Sequence, residues 1–148
     1  LNANKRQLFG SPTLDCFKHR HKTIDLPLYA SDIDLLLIDF DPHPQILACL
    51  DYKTKWDSIT KTECIVYDNF IRMNIPVFIV QGDSVTGKFE IKQMHSADLH
   101  NDKANARLTT VARTNCYEQY GKWELSLREQ LRARNAMQWN CQSIGMRT

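Results

Sequence analysis

Apolar residues along the chain gather in short runs bounded by acids, prolines and glycines. Leu35-Leu36-Leu37-Ile38 follows Asp34, and Ile46-Leu47-Ala48-Cys49-Leu50 runs into Asp51-Tyr52-Lys53. Both runs have strand length, and the pattern predicts strands over residues 33–40 and 46–53. Asp41-Pro42-His43-Pro44 between them reads as a turn, because proline fixes φ and cannot extend a ladder. Residues 59–73 read as a helix whose apolar face carries Ile59, Ile65 or Val66, Phe70 and Met73, with Pro76 beyond its end. Val77-Phe78-Ile79-Val80 is wholly apolar, as in a strand buried on both faces. A turn over 82–87 leads to an alternating strand over 89–94, and the polar stretch 98–106 reads as loop with local helix.

A long helix is predicted over 115–136, since Cys116, Tyr120, Trp123, Leu127 and Leu131 recur at helical spacing and form a core stripe. Residues 13–22 suit a short helix, with Ser11 or Thr13 near its start, and Pro27 breaks the chain before the first strand. The last dozen residues read as weakly ordered. The predicted order is helix, strand, strand, helix, strand, strand, helix (αββαββα). It describes a single α/β (α+β) domain over 1–148, a mixed central sheet flanked by helices.

Side chains alternate across a strand, so Asp51 and Lys53 share a face while Tyr52 points away and leaves its backbone carbonyl at the strand edge. If Asp41 faces Ile46 across the turn, Leu36 faces Asp51 and Asp34 faces Lys53. That register gathers Asp34, Asp51 and Lys53, with Asp32 as a rival first acid; a one-residue slip separates them. Carboxylates and carbonyl oxygens are hard ligands that favour Mg²⁺ or Mn²⁺. Such an ion, held by Asp34 or Asp32, Asp51 and the Tyr52 carbonyl, lowers the pKa of a bound water and offsets charge on a phosphorane-like transition state. Lys53 beside it can orient or deprotonate that water, or neutralise developing charge. The simpler reading takes Asp32, Asp34, Asp39 and Asp41 as strand-end polar residues and Asp51-Tyr52-Lys53 as a solvated edge.

Composition changes the picture only modestly. The chain has 148 residues and ordinary hydrophobic content, enough for one core. No apolar stretch reaches the roughly 18 residues a membrane helix needs, so no membrane partner is expected. No apolar segment follows Lys5-Arg6, so no secretory signal is expected; the missing initiator Met suggests a processed or incomplete start. The five cysteines, Cys16, Cys49, Cys64, Cys116 and Cys141, include no CxxC pair, and neither a disulfide framework nor a zinc site is expected. A reducing, cytoplasmic setting follows from that reading. Net charge is +2, but Lys/Arg and Asp/Glu number five and two over residues 1–30, six and twelve over 31–102, and eight and three over 103–148. An acidic middle between basic ends suits a metal site amid phosphate-attracting surface, and equally suits helices carrying charge for solubility.

Asp34, Asp51-Tyr52-Lys53 and the element order together resemble the PD-(D/E)xK nuclease superfamily, the restriction-endonuclease-like fold. In that family the first acid begins the second core strand and (D/E)xK lies on the third. The likeness spans roughly residues 13–94 and is nearest to small phage or bacterial members. It implies that Asp34, Asp51 and Lys53 are catalytic, that Mg²⁺ or Mn²⁺ is the cofactor, and that the protein is a nuclease hydrolysing phosphodiester bonds, DNA favoured. The alternative is a nucleic-acid-binding or assembly module on the same fold without turnover. Ile33 stands where many members have proline, and Asp51 where glutamate is commoner. Glu63 and Tyr67 share the spacing of a helix motif of the recombination-nuclease branch, without its glutamine.

His19, Arg20, His21, Lys55, Lys61 and Gln81 are candidates for contacting nucleic acid. The first five equally suit solvated surface, and Gln81 equally suits a satisfied strand-end amide. Gly82-Asp83-Ser84-Val85-Thr86-Gly87-Lys88 matches GxxxxGK, but Phe89 follows where a phosphate loop needs Ser or Thr and then a helix. A hairpin loop is expected instead. The sequence leaves a homodimer or larger complex open.

Overall fold

The computed structural model describes residues 14–23, 33–41, 43–54, 58–98 and 105–145, without the side chains of 21–23, 98, 105 and 136–145. The chain divides into two compact units, residues 1–32 and residues 33–148. The first contains helix α1 (Leu14–Thr23). The second contains β1 (Leu35–Asp39), β2 (Gln45–Lys53), α2 (Lys61–Arg72), β3 (Val77–Asp83), β4 (Lys88–Asp98), β5 (Asn105–Thr114) and α3 (Tyr117–Gly145). The chain is thus of mixed α/β class, with a five-stranded mixed sheet and three helices among the described residues. Among the described residues no helix is long and apolar enough to cross a membrane.

Strand order in the sheet follows chain order, β1-β2-β3-β4-β5. β2 and β3 run parallel, with α2 as their crossover, and every other neighbouring pair is antiparallel. A layer forms on each sheet face. On one, Leu50, Phe78, Val80, Phe89 and Ile91 meet Tyr120, Trp123, Leu127 and Leu131 of α3, so the predicted helical stripe is core packing. On the other, Cys49, Val77, Ile79 and Met94 meet Cys64, Tyr67 and Phe70 of α2. β3, apolar throughout its first four residues, is buried between them.

Local sequence explains where α2 begins and ends. Thr60 Oγ1 accepts from Glu63 N (3.2 Å) and Glu63 Oε1 accepts from Thr60 N (3.0 Å), a reciprocal capping box. At the other end Asn74 adopts φ 63°, Asn74 N donates to Ile71 O and Ile75 N to Phe70 O, and Pro76 prevents continuation.

Three expectations need correction. The segment 98–106, expected as loop with local helix, is strand at both of its ends: β4 runs to Asp98, residues 99–104 lie outside the described residues, and a fifth strand begins at Asn105, giving αββαβββα. Its inward residues, Ala106, Leu108 and Ala112, are mostly small, and register shifts at Ile91/Lys92 and Met94/Ser96 interrupt the alternation. The last helix runs on to Gly145 rather than stopping near 136, since neither proline nor glycine interrupts 122–144. The β1–β2 register also differs. Leu35 faces Leu50 and Leu36 faces Cys49, not Asp51, with an irregularity between Leu37 and Ile38 that leaves Leu47 unpaired. The hairpin reading of Gly82–Lys88 holds, because Asp83 pairs with Lys88 across a turn and β4 follows.

Candidate functional site

The observed β1–β2 register is shifted by two residues from the expected one near the acids. A two-residue shift preserves faces, because the side-chain period is two. Continued one residue beyond Leu35, it sets Asp34 alongside Asp51 rather than opposite Lys53. Asp34 Oδ2 accepts from the backbone N–H of Tyr52 (3.1 Å), which ties the chain before β1 to the acid-bearing end of β2. Asp51 and Lys53 lie on the α2 side of the sheet, and Lys53 Nζ stands 3.4 Å from Asp51 Oδ2. Tyr52 points into the α3 layer, where its hydroxyl donates to Gly82 O (2.7 Å).

Asp51 is fully buried, and neither of its carboxylate oxygens has a hydrogen-bond partner of good geometry. Such a group is costly as an anion unless something compensates it. Burial first, then the nearby Asp34 carboxyl, pushes Asp51 up to about 7, against a smaller opposing effect of Tyr67. In the metal-free protein Asp51 therefore gives up its proton far less readily than an ordinary aspartate.

Glu63 completes the cluster. It stands at the third position of α2, and its capping-box bond with Thr60 fixes the side chain. Both oxygens then accept from Lys53 Nζ, at 2.9 and 2.8 Å, and Oε2 also takes the hydroxyl of Tyr67 at 3.4 Å. Burial would raise Glu63, but Lys53 and the Thr60 backbone outweigh it and hold the carboxyl well below its ordinary value. For Lys53, burial acts downward, but the Glu63 bond and the charges of Asp51 and Glu63 outweigh it and raise the ammonium above its usual range. Lys53 is a fixed cation here. Sequence spacing marks Glu63 and Tyr67 only as a departure from a helix motif. The signal that finds Glu63 is Thr60-Lys61-Thr62-Glu63, a capping-box pattern that orients its side chain.

The structure therefore brings Asp34, Asp51 and Lys53 together and adds Glu63 and Tyr67. Gln81 pairs with Lys53 in the β2–β3 ladder and donates to Thr54 O (3.3 Å), so part of its amide is engaged locally. Lys61 is exposed at the first residue of α2. His19 and Arg20 are exposed on α1 in the first unit. Asp32, Lys55 and the His21 side chain lie outside the described residues.

The orphaned oxygens of Asp51 fit a divalent cation, which would supply the missing compensation. Among the described residues no group of three or more His, Cys, Asp or Glu is arranged to hold a metal ion. The donors the structure brings together are the carboxyls of Asp34 and Asp51, one oxygen of Asp34 already accepting from Tyr52 N; the Tyr52 carbonyl is a third donor expected from the sequence. That set suits hydrated Mg²⁺, which keeps several waters, better than a closed tetrahedral site. Compared with known proteins, the chain matches no family model, no curated protein and no solved structure.

Proposed function

We propose that the protein is a metal-dependent nuclease of PD-(D/E)xK type, hydrolysing phosphodiester bonds with DNA as the favoured substrate. The observation that carries this reading is Asp51: a fully buried carboxyl whose two oxygens accept no hydrogen bond, with Asp34 beside it and the Lys53 ammonium 3.4 Å from Oδ2. One ammonium at 3.4 Å, shared with Glu63, leaves this buried carboxyl incompletely compensated, as a cation site would. The parallel β2-α2-β3 crossover after the Asp-x-Lys strand is in keeping with the family core.

In this reading Asp34 and Asp51 hold Mg²⁺ or Mn²⁺ with the Tyr52 carbonyl. The bound ion supplies an activated water and charge compensation at the phosphorus. Lys53, kept protonated chiefly by its bonds to Glu63, acts as a cation: it orients the attacking water or the phosphate and offsets charge as the P–O bond breaks. It does not serve as the base. Glu63 and Tyr67 are positioning residues, holding Lys53 at one distance from Asp51. One observation also favours a binding or assembly module without turnover, because both oxygens of Glu63 already engage Lys53.

Cleavage of labelled DNA and RNA separates the two readings. The nuclease reading predicts cutting with Mg²⁺ or Mn²⁺, none in EDTA, and loss in Asp51→Ala and Lys53→Ala. Salt-sensitive binding with no metal-dependent cutting by the wild type would instead support the module.

A further inference from the structure

Beside the acids, on the α2 face of the sheet, a cleft of about 320 Å³ opens off Lys53. Its apolar lining includes Ile59, Ile79 and Leu108, and its polar lining includes Lys53, Gln81 and Lys92. This volume lies near the lower end of the roughly 300–1,000 Å³ usual for small-molecule sites. A flat aromatic base has apolar faces and a hydrogen-bonding edge, which an apolar floor with a flanking amide matches.

The two lysines sit on either side of β3. Lys53 is on β2 and Lys92 on β4, where Lys92 faces Ile79. Two interstrand steps of about 4.8 Å and a two-residue offset along β3 separate their backbones by roughly 12 Å, room for one nucleotide unit between them. Lys92 Nζ lies 4.0 Å from Glu90 Oε1, but that carboxylate is shared with Arg113 Nη2 (3.7 Å) and the Thr110 hydroxyl (2.8 Å). Two cations on one carboxylate leave this side of the cleft net positive, as a phosphate requires.

We infer that this cleft seats one unpaired nucleotide of a single strand, its base against the half-buried Leu108 and Ile59 beside Gln81, and that Lys92 holds the phosphate next to the one at Lys53. The inference rests on the nuclease reading and deepens it by naming the substrate as single-stranded or locally unpaired. In a duplex each base is stacked and paired, and its faces cannot reach an apolar floor; a splayed base can. Lys92 and Gln81 are binding and positioning residues in this assignment.

The test measures binding without turnover. Fluorescence anisotropy of a labelled oligothymidine and of a duplex of equal length is read in EDTA across a salt series, for wild type, Lys92→Ala and the cleft-filling Ala106→Trp, with melting curves for each. The single strand is expected to bind at least about tenfold more tightly than the duplex. Lys92→Ala is expected to weaken it about fivefold or more and to lower the salt slope by about one. Ala106→Trp, if folded, is expected to weaken the single strand selectively; if it does not fold, Lys92→Ala decides. Equal affinity for both nucleic acids, no single-strand binding at low salt, or unchanged affinity in Lys92→Ala overturns the inference. Metal-dependent cutting with any of those results sinks the cleft assignment while the nuclease reading stands. Lys92-dependent binding without cutting does the reverse.

Discussion

Both carboxylate oxygens of Glu63 accept from the Lys53 ammonium, at 2.9 and 2.8 Å, while the same ammonium stands 3.4 Å from the buried carboxyl of Asp51. Lys53 is thus held by two hydrogen bonds from Glu63 beside Asp51. Partners that orient a reactive group without touching substrate typically contribute on the order of 10- to 100-fold. Glu63→Gln keeps the size and loses the charge, so kcat for cleavage is expected to fall by about that factor with a smaller change in KM. Thr60→Ala removes only the cap, and should lower unfolding free energy by about 1 kcal/mol with a lesser effect on kcat. Steady-state kinetics with urea unfolding of both variants checks the ordering.

Asp51 makes stability depend on pH in the metal-free protein. Its folded-state value is raised to about 7 from 3.8, by burial first and then by Asp34. The folded state therefore binds more protons than the unfolded state between those values, and the associated stability is present below the lower value and lost as pH rises through the upper one. Asp51→Asn is permanently neutral. In EDTA it is expected to match the wild type near about pH 4 and to exceed it near about pH 8 by about 2–4 kcal/mol, at roughly 1.4 kcal/mol per unit. Urea unfolding at the two pH values reads this directly; a difference that shrinks with rising pH contradicts it.

A cation and a proton compete for the same oxygens. Mg²⁺ or Mn²⁺ is expected to raise the melting temperature of the wild type near about pH 8, through binding to the folded state alone, and to do so less near about pH 5. Asp34→Asn should weaken this response and Asp51→Asn abolish it. Scanning calorimetry with metal titration distinguishes them.

A second carboxylate, Asp39, belongs to the scaffold. Arg128 on α3 donates to it through Nε (2.9 Å) and Nη2 (3.0 Å), and Asp41 N donates to its Oδ1 (3.1 Å). The Asp41 backbone bond and then Arg128 hold Asp39 below its ordinary value. Its contribution is present above the normal carboxylate range and is lost as pH falls through the depressed value. Arg128→Ala is expected to lower the denaturation midpoint while leaving the metal-induced shift in melting temperature unchanged.

Much of this was legible in the sequence, and the reasons differ by residue. Asp51 and Lys53 share a face because strand period alone dictates it, and Asp34 joins them because an even slip preserves faces. The register itself was not readable, since an irregularity between Leu37 and Ile38 sits inside a run of four apolar residues that all look alike. β5 was missed because its inward residues are small and bulges break its alternation. Glu63 lay in a readable capping box, but its meeting with Lys53 depends on how α2 crosses from β2 to β3, a tertiary relation that spacing does not encode. The same holds for Asp39 and Arg128, which lie 89 residues apart.

The central claim is that Asp34 and Asp51 hold a divalent cation. An anomalous difference map from crystals soaked in Mn²⁺ tests it most directly. A peak between the two carboxyl groups, absent from crystals of Asp51→Ala, is the predicted result. No peak there at saturating Mn²⁺, with the two acids turned away from one another, would contradict it.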